Sequence, residues 1–481
     1  MLIKASVSAL AVLAVVDAGP ASAENIRDTL AQAYRYNPRL DAERANLRAT
    51  DENVSQANAG FRPSINAEAD VGQQTIEGTA SGRFGGGRTQ NSGTTSPRGY
   101  QIQLIQPLFR GFQTINGVSE AEAQVRAGRE TLRNVEQEVL LQAVTDYGNV
   151  VRDQAIVKLR ENNIAVLSKE LKATQDRFAV GEVTRTDVAQ AQARRAQAVS
   201  ELDLAKANLK TSRSSYEQTV GNPPGKLDEP RPEHKLIPHS LEESVAISAH
   251  ENPLVVAALY NEQAARINVD KIRGKLLPEA QLEALYQDRY DQNIQSARTE
   301  SGSIVGRVNI PIYDNGGVVY SEVRQAKHIH VQRIQLIEQS RAAAQQSVVQ
   351  AWSQLTAAKA QLESDKAQIE FNTIALTGVR EEERVGQRTL LDVLNAQQEL
   401  LISQVQIEGT KRNLLVSSYS VISAIGRLNV AEVGAASTVY DPAVHLDEVA
   451  RKWWGLDITH DDGRSEHLDL WAPRVEHAPV K

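Results

Sequence analysis

Charged residues at two matching turns are the strongest candidates for chemistry in this chain. Asp187 and Asp392 each lie six residues after a glycine, Gly181 and Gly386, that interrupts a long helical pattern. Arg388 lies four residues before Asp392, so the two could form an ordinary surface ion pair worth about 0.3–0.5 kcal/mol. No Ser-His-Asp set or paired-carboxylate arrangement stands out, and neither a metal site nor a cofactor site is expected. The sequence therefore predicts a non-enzyme in which charge, not catalysis, has the functional role.

These turns belong to an internal repeat. Asn37-Pro38 recurs as Asn252-Pro253, 215 positions later, and the run 180–188 recurs as 385–393, 205 positions later. A period of about 200 residues is too long for a solenoid unit and indicates a duplicated half-molecule. We expect a signal peptide at 1–23, a first repeat at 24–220, a Pro-rich linker at 221–240, a second repeat at 241–430 and a loosely ordered tail at 431–481.

Composition indicates an exported protein. Residues 9–16 are apolar, and Ala21-Ser22-Ala23 is a small-residue cleavage site before Glu24. The chain has no cysteine, which excludes disulfides and an acyl-cysteine lipid anchor. A net charge of -7 without a basic stripe argues against nucleic acid. No segment after the leader has the 18 apolar residues that a membrane helix needs.

Each repeat predicts a pair of strands with one apolar and one polar face. Apolar residues alternate with polar ones over 64–71 and 100–104, and again over 280–287 and 304–312. Polar loops are expected at 73–99 and 288–302. Strands of this length and pattern suit a barrel wall between lipid and water, although surface hairpins of a soluble domain would show the same alternation. Four strands are too few to close a barrel, so a membrane location would require several chains.

Long proline-free segments predict helical hairpins. The tracts 114–220 and 318–425 contain no proline, and each is broken once, at Gly181 or Gly386. Small and medium side chains at spacings of three and four allow close packing of the two arms. A solvent-exposed coiled-coil arm without a pore would have the same pattern.

The order of signal, helix, strand, loop, strand and long hairpin, given twice, resembles the TolC family of outer-membrane channels. The residues that carry the resemblance are Asn37-Pro38, Pro63, the strand end 106–109, the two Val-Gly turns and the run 390–396. The resemblance covers about residues 24–430. It implies a mainly α fold with a small β part: a homotrimer with a twelve-stranded outer-membrane barrel and a periplasmic tube of helical hairpins.

The resemblance also implies function and partners. Such channels are the exit ducts of tripartite efflux pumps and type I secretion systems, joined to a periplasmic adaptor and an inner-membrane transporter of RND or ABC type. The other interpretations are a periplasmic coiled-coil adaptor and a structural envelope protein. Two hairpins, two strand pairs and no anchor favour the channel.

The same resemblance assigns roles at the turns. Asp392 would line the constriction, where Asp187 and Asp392 of three chains place six carboxylates that attract cations. Asn395 stands where relatives often have a second acid, which weakens the ring. Arg388 would hold the tube closed through Asp187, without the aromatic that often assists, because that position is Glu383.

Overall fold

A computed structural model describes residues 24–80, 89–230, 232, 235–293, 296–313, 315–435, 439–459 and 465–466. The predicted signal peptide lies outside these residues. The helices are α1 Ile26–Tyr36, α2 Pro38–Asn58, α3 Gln113–Ala179, α4 Arg185–Val220, α5 Leu241–Glu251, α6 Pro253–Arg273, α7 Val318–Arg384, α8 Leu390–Ala424, α9 Val430–Val433 and α10 Pro442–Val449. The strands are β1 Ser64–Val71, β2 Gln74–Ala80, β3 Thr89–Thr95, β4 Arg98–Arg110, β5 Glu279–Asn293, β6 Ser296–Asn309, β7 Ile458–Thr459 and β8 Ser465–Glu466.

The duplication is visible in the lengths of the helices. Helices α1 and α5 both have 11 residues, α2 and α6 both have 21, and α3 and α7 both have 67. At 1.5 Å per residue, α3 and α7 are each about 100 Å long. Helix α3 packs along α4, and α7 along α8, as two antiparallel hairpins. The mainly α fold with duplicated hairpins, expected from the sequence, is confirmed.

The repeated Asn-Pro pairs break one helix and start the next. Asn37 and Asn252 are N-cap residues with extended backbones, and their side-chain oxygens accept from the amides of Arg39 and Leu254. Proline follows each cap at the first helical position, where no backbone amide is needed. Each cap also donates its Nδ2 across the structure at 3.0 Å, Asn37 to the carbonyl of Thr219 and Asn252 to that of Ala424. Each asparagine thus fixes a helix start to the base of a hairpin.

Four strands form one antiparallel sheet in the order β1-β4-β5-β6. Its register places the predicted apolar positions opposite one another: Ile65 pairs with Leu104, Leu104 with Ala284, and Ala284 with Ile304. The opposite face carries polar contacts, including Arg307 with Glu283 at 2.9 Å and Arg289 with Asp70. The sheet therefore has one apolar and one polar face, as predicted.

The expected loops contain more strand than predicted. Strands β2 and β3 form a separate hairpin within 73–99, and β5 and β6 extend well into 288–302. Polar residues occupy both faces of these extensions, and Thr75 pairs with Thr94. Their sequence therefore shows no alternation of apolar and polar residues from which the strands could be predicted. The glycine-rich residues 81–88 lie outside the described part of the chain.

The main core joins the two repeats where the hairpins meet the short helices. Tyr147, Tyr216 and Tyr419 are almost fully buried there with Leu30 and Ile422. Burial, followed by the nearby Asp228 charge, raises the pKa of Tyr147, whose hydroxyl donates to the carbonyl of Asp228 at 2.7 Å. The Pro-rich linker is thereby fastened to the core.

The segment after residue 430 differs from the expected loose tail. It forms α9 and α10, and the latter packs against α2 with Leu446 and Ala450 beside Val54. Its partners lie almost 400 residues earlier in the chain, so no local periodicity indicated this packing. Among the described residues, no helix is both long and apolar enough to span a bilayer.

We predict that Asn37→Ala lowers the thermal unfolding midpoint of the purified protein, because it removes both the cap and the bond to Thr219. The loss should be about 1–2 kcal/mol per chain. Asn37→Asp retains the capping oxygen and should lose only part of this. Circular dichroism during heating measures both variants, and equal midpoints for Asn37→Ala and the unaltered protein would contradict the assigned role.

Candidate functional site at the hairpin turns

Both hairpins turn through the same backbone motif. Gly181 has φ 78° and Gly386 has φ 80°, a left-handed conformation that glycine adopts without strain. The amide of Glu182 donates to the carbonyl of Arg177, and that of Gln387 to Glu382, both at 2.9 Å. These are Schellman motifs, which end a helix at a left-handed residue. The predicted turn residues therefore end the long helices.

Asp187 and Asp392 start the return helices. The carboxylate of Asp187 accepts from the amide and hydroxyl of Thr184, both at 2.8 Å, while Thr184 Oγ1 accepts from the Asp187 amide at 3.3 Å. Thr389 and Asp392 repeat this capping box, with distances of 3.0, 2.8 and 3.3 Å. The threonine side chain, followed by the backbone bond, lowers the pKa of each aspartate. Both carboxylates are thus fixed in place and charged at neutral pH.

The Thr-x-x-Asp spacing of these boxes is a capping signal in the sequence that the predicted roles did not include. The predictions placed both acids at the constriction and Asp187 also in a contact with Arg388. The structure adds a second role, because each acid also satisfies backbone donors at a helix start.

Arg388 contacts its own turn within one chain. Its Nε donates to Glu382 Oε2 at 2.8 Å, and this bond, ahead of the nearby charges, raises the arginine's pKa. Asp187 instead bonds Thr184, as described above. Arg388 and Asp187 are therefore not brought together inside one chain, and their contact stays a prediction for neighbouring chains.

Two other arginines connect the hairpins of one chain. Arg177 Nη1 donates to Glu383 Oε1 at 2.8 Å, and Arg194 Nη2 donates to Asn395 Oδ1 at 2.7 Å. The hydrogen bond to Glu383, followed by that to Glu182, raises the pKa of Arg177. Glu383, the acid at the expected aromatic position, thus forms a charge pair. Neither arginine was predicted, since about 200 residues separate each from its partner.

A small apolar cluster supports these bridges. Leu390 and Leu394 of the second hairpin pack on Leu167 and Ala198 of the first. This buried contact joins the two hairpins near their turns, where the side chains of the Arg177–Glu383 pair are 36% and 19% exposed. Among the described residues, no group of three or more His, Asp or Glu residues could hold a metal ion.

Comparisons with known proteins agree with this architecture. The family model described as outer membrane efflux protein matches residues 29–222 and 247–427, one range for each repeat. The outer membrane efflux protein BepC of Brucella suis biovar 1 (strain 1330) is 37% identical over 449 residues, covering 92% of this chain and 94% of its own. The outer membrane protein TolC of Escherichia coli (strain K12) is 23% identical over 445 residues, covering 88% and 86% of the two chains.

A solved structure shows the same fold. The Campylobacter jejuni CmeC outer membrane channel superposes with a TM-score of 0.72 at 16% identity, over 89% of each chain. The resemblance inferred from the repeated turns and strands is confirmed. With both repeats matched by the family model, and with BepC similar over nearly its whole length, the chain belongs to the outer membrane efflux protein family.

Proposed function

We propose that this protein is the outer-membrane exit channel of a tripartite efflux pump or type I secretion system. The observation that carries the proposal is the two-faced, four-stranded sheet that continues into two helices, α3 and α7, each about 100 Å long. Apolar side chains on one face are exposed in the single chain, including Ile65 at 65% and Ile304 at 76%. Lipid is the environment that such a surface suits.

The sheet supports assembly into a homotrimer. Its order leaves β1 and β6 as the two edges of the four-stranded sheet. In lipid each unpaired backbone group costs several kcal/mol, so an open sheet is excluded there. Pairing β1 of one chain with β6 of the next satisfies these groups, and three chains supply twelve strands, above the minimum of about eight.

The polar face then lines a water-filled pore. Glu283–Arg307 and Asp70–Arg289 are charge pairs on this face, and Arg289 also donates to Gln101 at 3.0 Å. A lining of paired charges and amides is permissive to polar cargo, so selection falls to the inner-membrane transporter.

The helical part extends into the periplasm, where it meets the adaptor and the RND or ABC transporter. An adaptor role for this chain is less well supported, because an adaptor does not need a sheet with an exposed apolar face. The name of BepC, an efflux protein, favours efflux over protein secretion.

The turns form the gate at the inner end. In a trimer, Asp187 and Asp392 place six charged carboxylates around the constriction. Asn395 is uncharged, so it adds no further carboxylates to this ring. Arg177 and Arg194 hold the two hairpins of each chain together, and we propose that Arg388 contacts Asp187 of a neighbouring chain. Opening requires these links to break.

Purified protein should form trimers in mild detergent and conduct ions in a planar bilayer. Native mass spectrometry gives the number of chains, and single-channel recording gives the conductance. A monomer that forms no pore would exclude the channel and support the adaptor or envelope alternative.

Arg177→Gln should raise the closed-state conductance several-fold, because it removes the bridge to Glu383. Arg380→Gln is the matched control, since it removes the same charge from an exposed position one turn before the end of α7. Arg388→Ser tests the predicted contact between chains in the same recordings. Closed-state conductance that neither Arg177→Gln nor Arg388→Ser changes, or that Arg380→Gln raises as much as Arg177→Gln does, would contradict the proposed gate.

Cation selectivity should stay constant from about pH 7 to about pH 5, because the lowered pKa values keep both aspartates charged. A carboxyl whose folded pKa is depressed stabilises the fold above its unfolded pKa, and that contribution is lost as pH falls through the folded pKa. Selectivity and the helix starts should therefore fail together only below the ordinary value of 3.8.

Reversal potentials across a salt gradient measure this selectivity. Asp392→Glu keeps both the charge and the capping box and should behave like the unaltered protein. Asp392→Asn should lower selectivity throughout the range from about pH 7 to about pH 5. Selectivity that already falls near pH 6 would show that other groups set it.

A further inference from the structure

The segment after residue 439 runs along α2 toward the sheet. Three contacts define its course: Asp51 Oδ2 with His445 Nδ1 at 3.0 Å, Asn58 Nδ2 with the Ala450 carbonyl at 3.0 Å, and the Arg62 guanidinium with the Trp453 ring at 5.1 Å. Residue numbers increase in the same direction along α2 and along this segment, so the two run parallel. From residue 51 to 62 the climb is about 16 Å at helical rise. This segment lies beyond the family match, which ends at residue 427.

The climb ends in exposed aromatic side chains. Trp453 is 60% exposed and Trp454 is 87% exposed, and Leu456 and Ile458 are about half exposed. Gly455, with φ 113°, turns the backbone directly after the pair. Exposing two adjacent tryptophans to water is unfavourable, so we expect another molecule to cover their surface.

The position of the pair identifies that occupant. Arg62, under Trp453, lies two residues before Ser64, the first residue of β1. Two extended residues span at most about 7 Å. The apolar face begins one residue later at Ile65, and Phe61, 51% exposed, lies on the near side. Through its contact with Arg62, Trp453 therefore lies near the start of the sheet whose apolar face is proposed to contact lipid.

The surrounding charges match a phospholipid headgroup layer. Arg451 and Lys452 precede the pair and are both exposed, the Lys452 ammonium also donates to the Asp457 carbonyl at 2.8 Å, and Arg62 packs on the first ring. Tryptophan prefers the membrane–water interface, where its ring is among acyl chains and its N–H remains hydrated. Basic residues beside it attract anionic lipid phosphates.

We propose that residues 441–459 form an interfacial anchor. Trp453 and Trp454 insert into the headgroup layer of the periplasmic leaflet, and Arg62, Arg451 and Lys452 contact lipid phosphates. The anchor rests on the proposed function, because it requires the sheet to be in the outer membrane. It fixes the height of the sheet in the bilayer, and the Asp51–His445 pair and the α10 contacts hold it on α2.

Tryptophan fluorescence in vesicles tests the anchor. Replacing Trp352 and Trp471 with Phe leaves the 453–454 pair as the only tryptophans. This full-length variant is reconstituted into vesicles of phosphatidylethanolamine and phosphatidylglycerol. Quenchers are placed on the lipid chains, either close to the headgroup or near the bilayer centre, and iodide serves as the aqueous quencher.

The expected result is a blue shift of emission on reconstitution, with strong quenching by the shallow lipid label and weak quenching by the deep one. The matched control keeps Trp352 alone; it lies in α7 about 50 Å from the start of that helix and should be insensitive to both lipid labels. Arg451→Gln with Lys452→Gln should reduce quenching of the pair, most clearly in vesicles containing phosphatidylglycerol.

Two outcomes would overturn the anchor. An emission maximum that does not shift to shorter wavelength on reconstitution, together with quenching by iodide alone, would place the pair in water. Protection from iodide without lipid quenching would place it against protein, either a second copy or another partner. Ion conductance of the same vesicles separates the two proposals: a conducting trimer with unquenched tryptophans rejects the anchor alone, whereas vesicles without conductance reject the channel.

Discussion

The structure depends on the unpaired edges of one sheet. Strands β1 and β6 expose backbone donors and acceptors, while an apolar face prevents the sheet from remaining in water. Neither problem can be solved within a single chain, because four strands cannot curve into a closed wall. Pairing edge to edge with further copies solves both, since it buries the backbone groups and gives the apolar face to lipid. Closure, pore and membrane location of the proposed channel thus share one physical cause.

Duplication explains how one chain supplies both halves of this wall and of the tube below it. The two repeats have 67-residue helices α3 and α7, matching asparagine caps and matching Thr-Asp capping boxes. The two repeats differ in the charged residues of their hairpin turns. Arg177 in the first repeat corresponds to Glu382 in the second, so each turn closes through an arginine–glutamate pair of opposite order. This asymmetry allows the two turns of a chain to bind each other, through Arg177 and Glu383, instead of repelling.

Sequence patterns predicted most of the fold, because its main elements are long and strongly periodic. Helix boundaries at Asn37, Gly181 and Gly386 were readable, since caps and left-handed glycines act locally. The hairpin β2–β3 could not be predicted, because polar residues on both of its faces leave no alternation of apolar and polar positions. The packing of α10 on α2 and the bridges from Arg177 and Arg194 were also missed. They join residues about 200 to 400 positions apart, and a single sequence carries no signal for such contacts.

Because the chain has no cysteine, disulfide cross-linking offers the most direct test of edge pairing. A cysteine at Glu68 on β1 can be combined with cysteines scanned one at a time along β6 and oxidised in intact cells. We predict that one cysteine position on β6 cross-links to β1 of the neighbouring chain and gives a series of cross-linked species that stops at three chains. Cross-links that form only within a chain, or a ladder that continues past three, would contradict a wall closed by three copies.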